Sequence, residues 1–154
     1  VSALNETENI CTIFTHKGHT ILPKLKDVSQ WKSVLSETVY LKDFLVEDAQ
    51  IKFKGGNANS SVAVQIAGNN WLALGDAAMS FDPLSSHGIT NSIYTASNAS
   101  EAIEKQLNFA DTEAFPVYDE TMKTIFQQYL QSKNKLYQQE TRWKEEAFWK
   151  PFFE

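Results

Sequence analysis

The spacing of apolar residues changes near residue 75 of this 154-residue chain, and that change restricts the possible folds more than any other feature. Before it, four short runs are β-branched, alternating or wholly apolar, which is typical of strands. These runs cover residues 10–16, 50–54, 61–66 and 71–74. After it, apolar residues recur every three or four positions, as they do along amphipathic helices. The pattern predicts an α+β fold with a small, largely antiparallel sheet followed by long C-terminal helices.

Two of the predicted strands are divided by turn-forming residues. Gly55-Gly56-Asn57 separates 50–54 from 61–66, which predicts that these two runs form an antiparallel pair. The run 71–74 (WLAL) follows another turn, Gly68-Asn69-Asn70, and is apolar at every position. A strand that is apolar on both faces is expected at the centre of a sheet, so we predict a buried central strand here.

Three helices are predicted from the same periodicity. They are expected over about 28–37, from 85 or 86 to 107, and over nearly all of the last forty residues. Asp27 or Ser29 suits the cap of the first helix, and Asp111 or Thr112 that of the last. A helical turn is also predicted at 42–46. The second helix is defined by an apolar series that runs through Ile89, Ile93, Ala96, Ala99, Ile103 and Leu107.

Length and composition favour one folded unit and disfavour several kinds of partner. A chain of this length is typical of a single domain, and 42% hydrophobic residues suffice for a core. The net charge is −5 and Arg142 is the one arginine, so nucleic acid is not expected as a partner. No apolar run is long enough to span a membrane. The first fifteen residues are too polar for a secretory signal and Cys11 is the sole cysteine, so we expect a cytoplasmic protein.

Histidines offer two candidate sites, and neither is favoured by the sequence. His16 and His19 are close enough in sequence for a metal pair but lack a third ligand, so turn histidines exposed to solvent are the preferred interpretation and no metal site is predicted. Ser86 and His87 are adjacent, which does not permit the geometry of a serine nucleophile and its base, and Ser86 is better explained as a helix cap. His87 could contact a ligand or simply pack.

The segment 71–91 carries the strongest chemical signal. The predicted strand ends at Gly75, and Asp76 follows it, at the end of a strand where open sheets place their ligands. Pro83 then leads the chain into a helix, whose first N–H groups and dipole favour a ligand oxygen or an anionic ring. A carboxylate suited to ligand hydroxyls and a helix N-terminus suited to negative charge therefore lie close together in the sequence.

This segment resembles the second flavin-binding signature of FAD-dependent monooxygenases of the p-hydroxybenzoate hydroxylase type and of the related flavin-dependent halogenases. The resemblance rests on G-D-A-A at 75–78, on Pro83, and on Gly88 five residues later at the head of a helix. It implies a partial FAD-dependent monooxygenase-type fold in which Asp76 binds the ribityl hydroxyls of FAD and the helix start faces the flavin ring. The implied cofactor-binding residues are Gly75, Asp76, Ala77, Pro83, Ser86, His87, Gly88 and Ile89.

The sequence departs from the family pattern in two respects. Met79, Ser86 and His87 replace residues common in the aromatic hydroxylases, and the D-P-L-S-S form is closer to the halogenase-like branch and to flavoenzymes that modify amino-acid side chains. The substrate is therefore expected to be a small organic or amino-acid-derived molecule. The G-x-G-x-x-G motif that holds the FAD pyrophosphate in the family does not occur in the sequence.

Because that motif is missing, we expect the chain to be the C-terminal part of a longer FAD-dependent oxidoreductase. Residues 1–70 would then belong to a substrate-domain sheet, 71–107 would contact the flavin, and 108–154 would be C-terminal helices. The chain alone would bind FAD weakly or not at all, and its partner would be the missing N-terminal FAD domain or a second copy. The alternative is a non-enzymatic interaction or dimerisation module derived from the same fold. No catalytic residue is identified.

Overall fold

A computed structural model describes residues 1–45 and 49–154, and these fall into two compact units. One comprises residues 1–55 and 140–154, and the other comprises residues 56–139. The structure confirms the α+β class, with small antiparallel sheets and long helices toward the C-terminal end. The three segments expected from the sequence, 1–70, 71–107 and 108–154, do not have the same bounds as these units. That the chain is a single unit taken from a larger flavoprotein stays a prediction.

The first unit contains one short strand pair and one helix. Strands β1 (Ser2–Ala3) and β2 (Asn9–Ile10) are antiparallel, and helix α1 covers Val28–Ser36. The Asp27 side chain accepts a hydrogen bond of 2.9 Å from the Gln30 N–H, so it is the N-cap. The predicted helix at 28–37 is thus confirmed to within one residue. The predicted turn at 42–46 corresponds to a 3-10 helix at Lys42–Phe44, and its last residue lies outside the described ranges.

The second unit contains four strands of two residues each. Strand β3 (Ser61–Val62) pairs with β6 (Met79–Ser80), while β4 (Ala67–Gly68) pairs with β5 (Trp71–Leu72). Residues 11–16 and 50–54, all within the described ranges, form no strand, so the predicted pairing of 50–54 with 61–66 is wrong. The strand predicted at 71–74 forms at Trp71–Leu72, but its predicted burial is wrong, because Trp71 and Leu74 are 48% and 42% exposed.

Two long helices pack against these strands and complete the core. Helix α2 covers Gly88–Asn108 and helix α3 covers Ala114–Tyr137. Ile66 of the hairpin, Met79 of β6 and Met122 of α3 are almost fully buried in one cluster. Ala99 and Ala102 are the α2 side chains in that cluster, and their small size permits close approach of the two helices. The chain beyond Tyr137 was predicted to be helical, but it forms turns and a 3-10 helix at Lys150–Phe152.

Helix α2 buries a different face from the one that predicted it. Its buried residues are Asn91, Thr95, Ala99 and Ala102. One member of the apolar series, Ala99, is buried in the core. The other five, Ile89, Ile93, Ala96, Ile103 and Leu107, are exposed, and we call them the outer stripe of α2. Among them Ile89, Ile93 and Leu107 are 80%, 67% and 75% exposed, so the largest apolar side chains of this helix are left in contact with solvent.

Asp119 of α3 fixes the hairpin of β4 and β5. Its Oδ1 accepts hydrogen bonds from the N–H groups of Ile66 and Ala67 at 2.6 and 3.3 Å. Its Oδ2 accepts one of 2.6 Å from Lys123 Nζ. Burial acts to raise the pKa of Asp119, but the hydrogen bonds from Lys123 and from the backbone outweigh it, so the pKa is lowered.

The lowered pKa of Asp119 predicts a pH-dependent stability. A carboxyl whose pKa is lower in the folded than in the unfolded chain stabilises the fold fully above its ordinary pKa, and this contribution is lost as the pH falls through the folded value. Asp119→Asn should therefore cost about 1.5–3 kcal/mol at neutral pH and flatten the pH dependence below about pH 4. Urea denaturation at a series of pH values measures both effects. Asp43→Asn, which alters an exposed carboxylate, should reproduce the parent profile.

Candidate functional site

Gly75 is the residue at which the chain turns after β5. Its φ angle is +57°, in the left-handed region that favours glycine. A Cβ at this position would lie 2.9 Å from Ser92 Oγ on helix α2. The turn and the close approach of helix α2 therefore explain why residue 75 is a glycine. The predicted contact between Gly75 and a cofactor stays a prediction.

Three buried side chains hold the backbone on either side of the G-D-A-A segment. The Gly75 N–H donates to Thr95 Oγ1 at 2.8 Å, and Asn91 Nδ2 donates to the Met79 carbonyl at 3.0 Å. Tyr118 Oη donates to the Ala73 carbonyl at 3.0 Å, and burial raises the pKa of this phenol. Because Thr95 and Asn91 lie on α2, the segment is fixed directly to the first turns of that helix.

Asp76 and Ala77 are presented at the surface by this arrangement. Both residues are exposed in a 3-10 helix at Gly75–Ala77, whereas Ala78 is buried beneath them. In the described part of the chain the Asp76 carboxylate has no hydrogen-bond partner. A carboxylate in this state can accept hydrogen bonds from the hydroxyls of a ligand.

The second half of the predicted site is the loop that enters α2. Pro83–Ser85 form a 3-10 helix, Ser86 has a left-handed φ of +54°, and His87 is the N-cap of α2. The helix therefore begins two or three residues later than predicted. Ser86 was expected to cap it, but no side chain caps this helix.

The uncapped start of α2 offers donors to a ligand. The first intrahelical bond is donated by the Asn91 N–H, so the N–H groups of Gly88, Ile89 and Thr90 have no acceptor within the helix. All three residues are exposed, and nothing lies within 4 Å of the position that a Cβ of Gly88 would occupy. Together with the helix dipole, these N–H groups favour a negatively charged or oxygen-rich group.

The two halves are linked through Ser92. Its Oγ donates a hydrogen bond of 3.0 Å to the Gly88 carbonyl, and the same side chain faces Gly75. The structure thus places the segment that carries Asp76 against the first turns of the helix whose start is Gly88. His87 packs its ring edge-on against Phe81 at a centroid distance of 6.3 Å, although the residue itself is exposed.

Residues that the sequence analysis missed are those that hold the site in place. Asn91, Thr95 and Tyr118 bind backbone atoms distant in sequence. Tyr129 and Tyr137 of α3 form hydrogen bonds with Asp82. The sequence contains one signal for two of these residues, because Asn91 and Thr95 are polar, lie four positions apart and interrupt the small residues in the first half of α2.

Histidine and metal chemistry receive no support from the geometry. His16 Nε2 lies 2.7 Å from the Ala147 carbonyl and its ring stacks on Phe148, and both His16 and His19 are half-buried instead of solvent-exposed. Within 1–45 and 49–154, no cluster of three or more His, Cys, Asp or Glu side chains could hold a metal ion.

None of the helices in the described ranges is long and apolar enough to cross a membrane.

Comparison with known proteins finds a distant relative in Marinomonas mediterranea. That protein, named "Putative FAD-dependent oxidoreductase LodB", is 29% identical to the chain over 151 residues. The match covers 97% of the chain but only 40% of the relative, so the chain spans less than half of that protein's length. No family model matches the chain, and no solved structure matches it.

Thr95 offers a direct test of how the G-D-A-A segment is held. Thr95→Val keeps the shape of the side chain but leaves the Gly75 N–H without its acceptor, so we expect a loss of about 1–3 kcal/mol in unfolding free energy. Urea denaturation measures the loss, and hydrogen exchange should show faster exchange of the Gly75 amide. Thr121→Val removes a comparable hydroxyl from an exposed position of α3 and should change stability by less than about 0.5 kcal/mol. Equal effects of the two variants would contradict the assigned role of Thr95.

Proposed function

We propose that the chain is the C-terminal part of an FAD-dependent oxidoreductase, a monooxygenase or halogenase-like enzyme that acts on an organic or amino-acid-derived small molecule. The observation that carries the proposal is the attachment of the G-D-A-A segment to the first turns of α2. That attachment leaves an exposed carboxylate and an uncapped helix start on neighbouring elements. The distant relationship to a protein named as an FAD-dependent oxidoreductase supports the coarse assignment.

The residues present fit a flavin. In this proposal, Asp76 accepts hydrogen bonds from the ribityl hydroxyls, and the small Ala77 leaves room beside it. The open space at Gly88 admits the pyrimidine edge of the ring to the N–H groups of Gly88 and Ile89, where the helix dipole stabilises negative charge on reduced flavin. Pro83, Ser86 and His87 shape the approach to this edge. The bound flavin supplies the electron transfer, and the protein supplies position and electrostatics.

The outer stripe of α2 is proposed to contact the part of the longer protein that holds the FAD pyrophosphate. The stripe starts at Ile89, one of the proposed flavin contacts, so a second body that holds the other end of the same cofactor must lie close to it. Ile89, Ile93 and Leu107 of the stripe are more than half exposed, and apolar residues aligned along one helix face in this way mark interaction surfaces. The match covers 40% of the relative, and the rest of that protein is long enough to form such a body.

Two further assignments belong to the proposal. A second candidate function, an interaction or dimerisation module without FAD, is favoured by the same stripe, because a second copy or another protein could cover it.

A cytoplasmic location rests on Cys11 being the sole cysteine, since the chain has no second thiol with which to form an internal disulfide.

Asp76→Ala in the longer protein tests the proposed site. The change removes hydrogen bonds between a charged acceptor and the ribityl hydroxyls, so the Kd for FAD should rise about tenfold or more. Flavin occupancy after purification and titration of the apoprotein with FAD measure the effect. Asp43→Ala removes an exposed carboxylate of the first unit and should leave occupancy unchanged. Unchanged occupancy in Asp76→Ala would remove the basis of the flavin assignment.

The 154-residue chain without any further sequence should bind FAD weakly or not at all, because it lacks the G-x-G-x-x-G motif. Flavin absorbance of the purified chain and a titration with FAD provide the measurement, and sedimentation should show a monomer. Near-stoichiometric yellow flavin would contradict this expectation. A stable dimer that Ile93→Asp dissociates would instead assign the outer stripe to a second copy of the chain.

A further inference from the structure

The loop between β6 and α2 is organised around Asp82. Its Oδ1 accepts a hydrogen bond from the Leu84 N–H at 2.9 Å. Its carbonyl accepts two more, from the Ser85 N–H at 2.9 Å and from Ser85 Oγ at 2.7 Å. The loop is otherwise open to solvent, since Pro83, Leu84 and Ser86 are exposed. Asp82 therefore accepts three of the hydrogen bonds that shape the loop between the end of β6 and the start of α2.

Helix α3 holds Asp82 at two points. The Asp82 N–H donates to Tyr129 Oη at 2.6 Å, and Tyr137 Oη donates to Asp82 Oδ2 at 2.6 Å. Tyrosines eight residues apart lie on the same face of a helix, about two turns apart. Burial, and after it the carboxylate of Asp82, raise the pKa of Tyr137, so this phenol stays protonated and remains a donor.

The Tyr137 contact is the one that keeps the Asp82 side chain in place. Hydrogen bonds from a hydroxyl to a carboxylate are short and about twice as strong as neutral ones. Tyr129 is secured independently, because its ring lies 4.3 Å from that of Phe81 and its hydroxyl also lies 2.9 Å from Ser60 Oγ. Within the described residues, loss of the Tyr137 hydroxyl would leave the Asp82 carboxylate with the Leu84 N–H as its remaining hydrogen-bond partner.

The loop that Asp82 organises also contains a strained residue. Ser86 has a left-handed φ of +54°, which costs a non-glycine residue about 1–2 kcal/mol. Such a conformation persists only where neighbouring contacts impose it. Since His87 and Gly88 follow directly, the hydrogen bonds at Asp82 act together with those of Asn91 and Thr95 in setting the angle at which α2 leaves the loop.

We propose that Tyr137 is a positioning residue which, through Asp82, sets the start of helix α2 against the flavin ring. The proposal rests on the proposed function for its ligand, but the link from Tyr137 to the loop stands on this chain's own contacts. Tyr137 is about fifty residues from the helix start in sequence and lies outside the segment 71–91 that carries the resemblance to flavin-binding proteins.

The first arm of the test uses the 154-residue chain and needs no flavin. Tyr137→Phe keeps the ring and removes the hydroxyl, so the amides of Leu84 and Ser85 should exchange with solvent about tenfold faster, in keeping with the loss of a charge-assisted hydrogen bond. Tyr40→Phe, at an exposed tyrosine of the first unit, is the matched control and should leave their exchange unchanged. Equal exchange of these two amides in the two variants would overturn the proposal.

The second arm uses the FAD-loaded longer protein and reads the flavin itself. Tyr137→Phe should lower the midpoint potential of the flavin, because the helix N-terminus would no longer be held where it stabilises the negative charge of the reduced ring. Asp82→Asn should shift the potential in the same direction, and the double variant should shift it no further than the larger single change. A potential that Tyr137→Phe does not alter, in protein that retains FAD, would overturn the positioning role alone. Protein that never contains FAD would overturn the proposed function and this role together, whatever the exchange data show.

Discussion

The hydrogen bonds from the buried face of α2 to the backbone beside Gly75 are the interactions on which the rest of the second unit depends. Each strand of this unit has two residues, and strand pairs of that length are not stable by themselves. Asn91 and Thr95 supply what the strands lack, because they satisfy backbone groups at Met79 and Gly75. Buried polar side chains are stable only with such partners, so the helix and the turn segment fix each other.

In an ordinary amphipathic helix the large apolar side chains are buried and the polar ones are exposed, whereas helix α2 has largely the reverse arrangement. Its inner face is polar near the start and small further on, while its largest apolar residues, Ile89 and Leu107 among them, lie outward. The buried polar residues of the inner face are explained by their hydrogen bonds to backbone groups, and the small Ala99 and Ala102 allow α3 to approach. The outer face has no comparable explanation within the described residues. An additional polypeptide surface against α2 would explain it, in agreement with the proposed assignment to a longer flavoprotein.

Local patterns in the sequence predicted the helices well and the strand pairing poorly. Helix α1 was predicted to within one residue because Asp27 and the spacing of Val28, Trp31 and Leu35 are local signals. The same method recognised α2 but assigned it the wrong face, since periodicity shows which positions are apolar and not which of them are covered. The last helix was predicted to continue through most of residues 138–154, yet the aromatic residues there pack around short turns. The bonds of Asn91, Thr95 and Tyr118 join distant positions and leave no local pattern.

The site is held at both ends of a single stretch of chain. Tyr118, Thr95 and Asn91 fix its beginning between Ala73 and Met79, and Tyr129 and Tyr137 fix Asp82 near its end. Asp76 and the start of α2 can therefore keep a constant separation without touching each other. A ligand that bridges them would find its two contacts already in place, and less of its binding free energy would be lost in ordering the protein. Helices α2 and α3 thus act as the rigid support, while the residues proposed to contact the flavin ring and its ribityl chain lie exposed on short turns and at the start of α2.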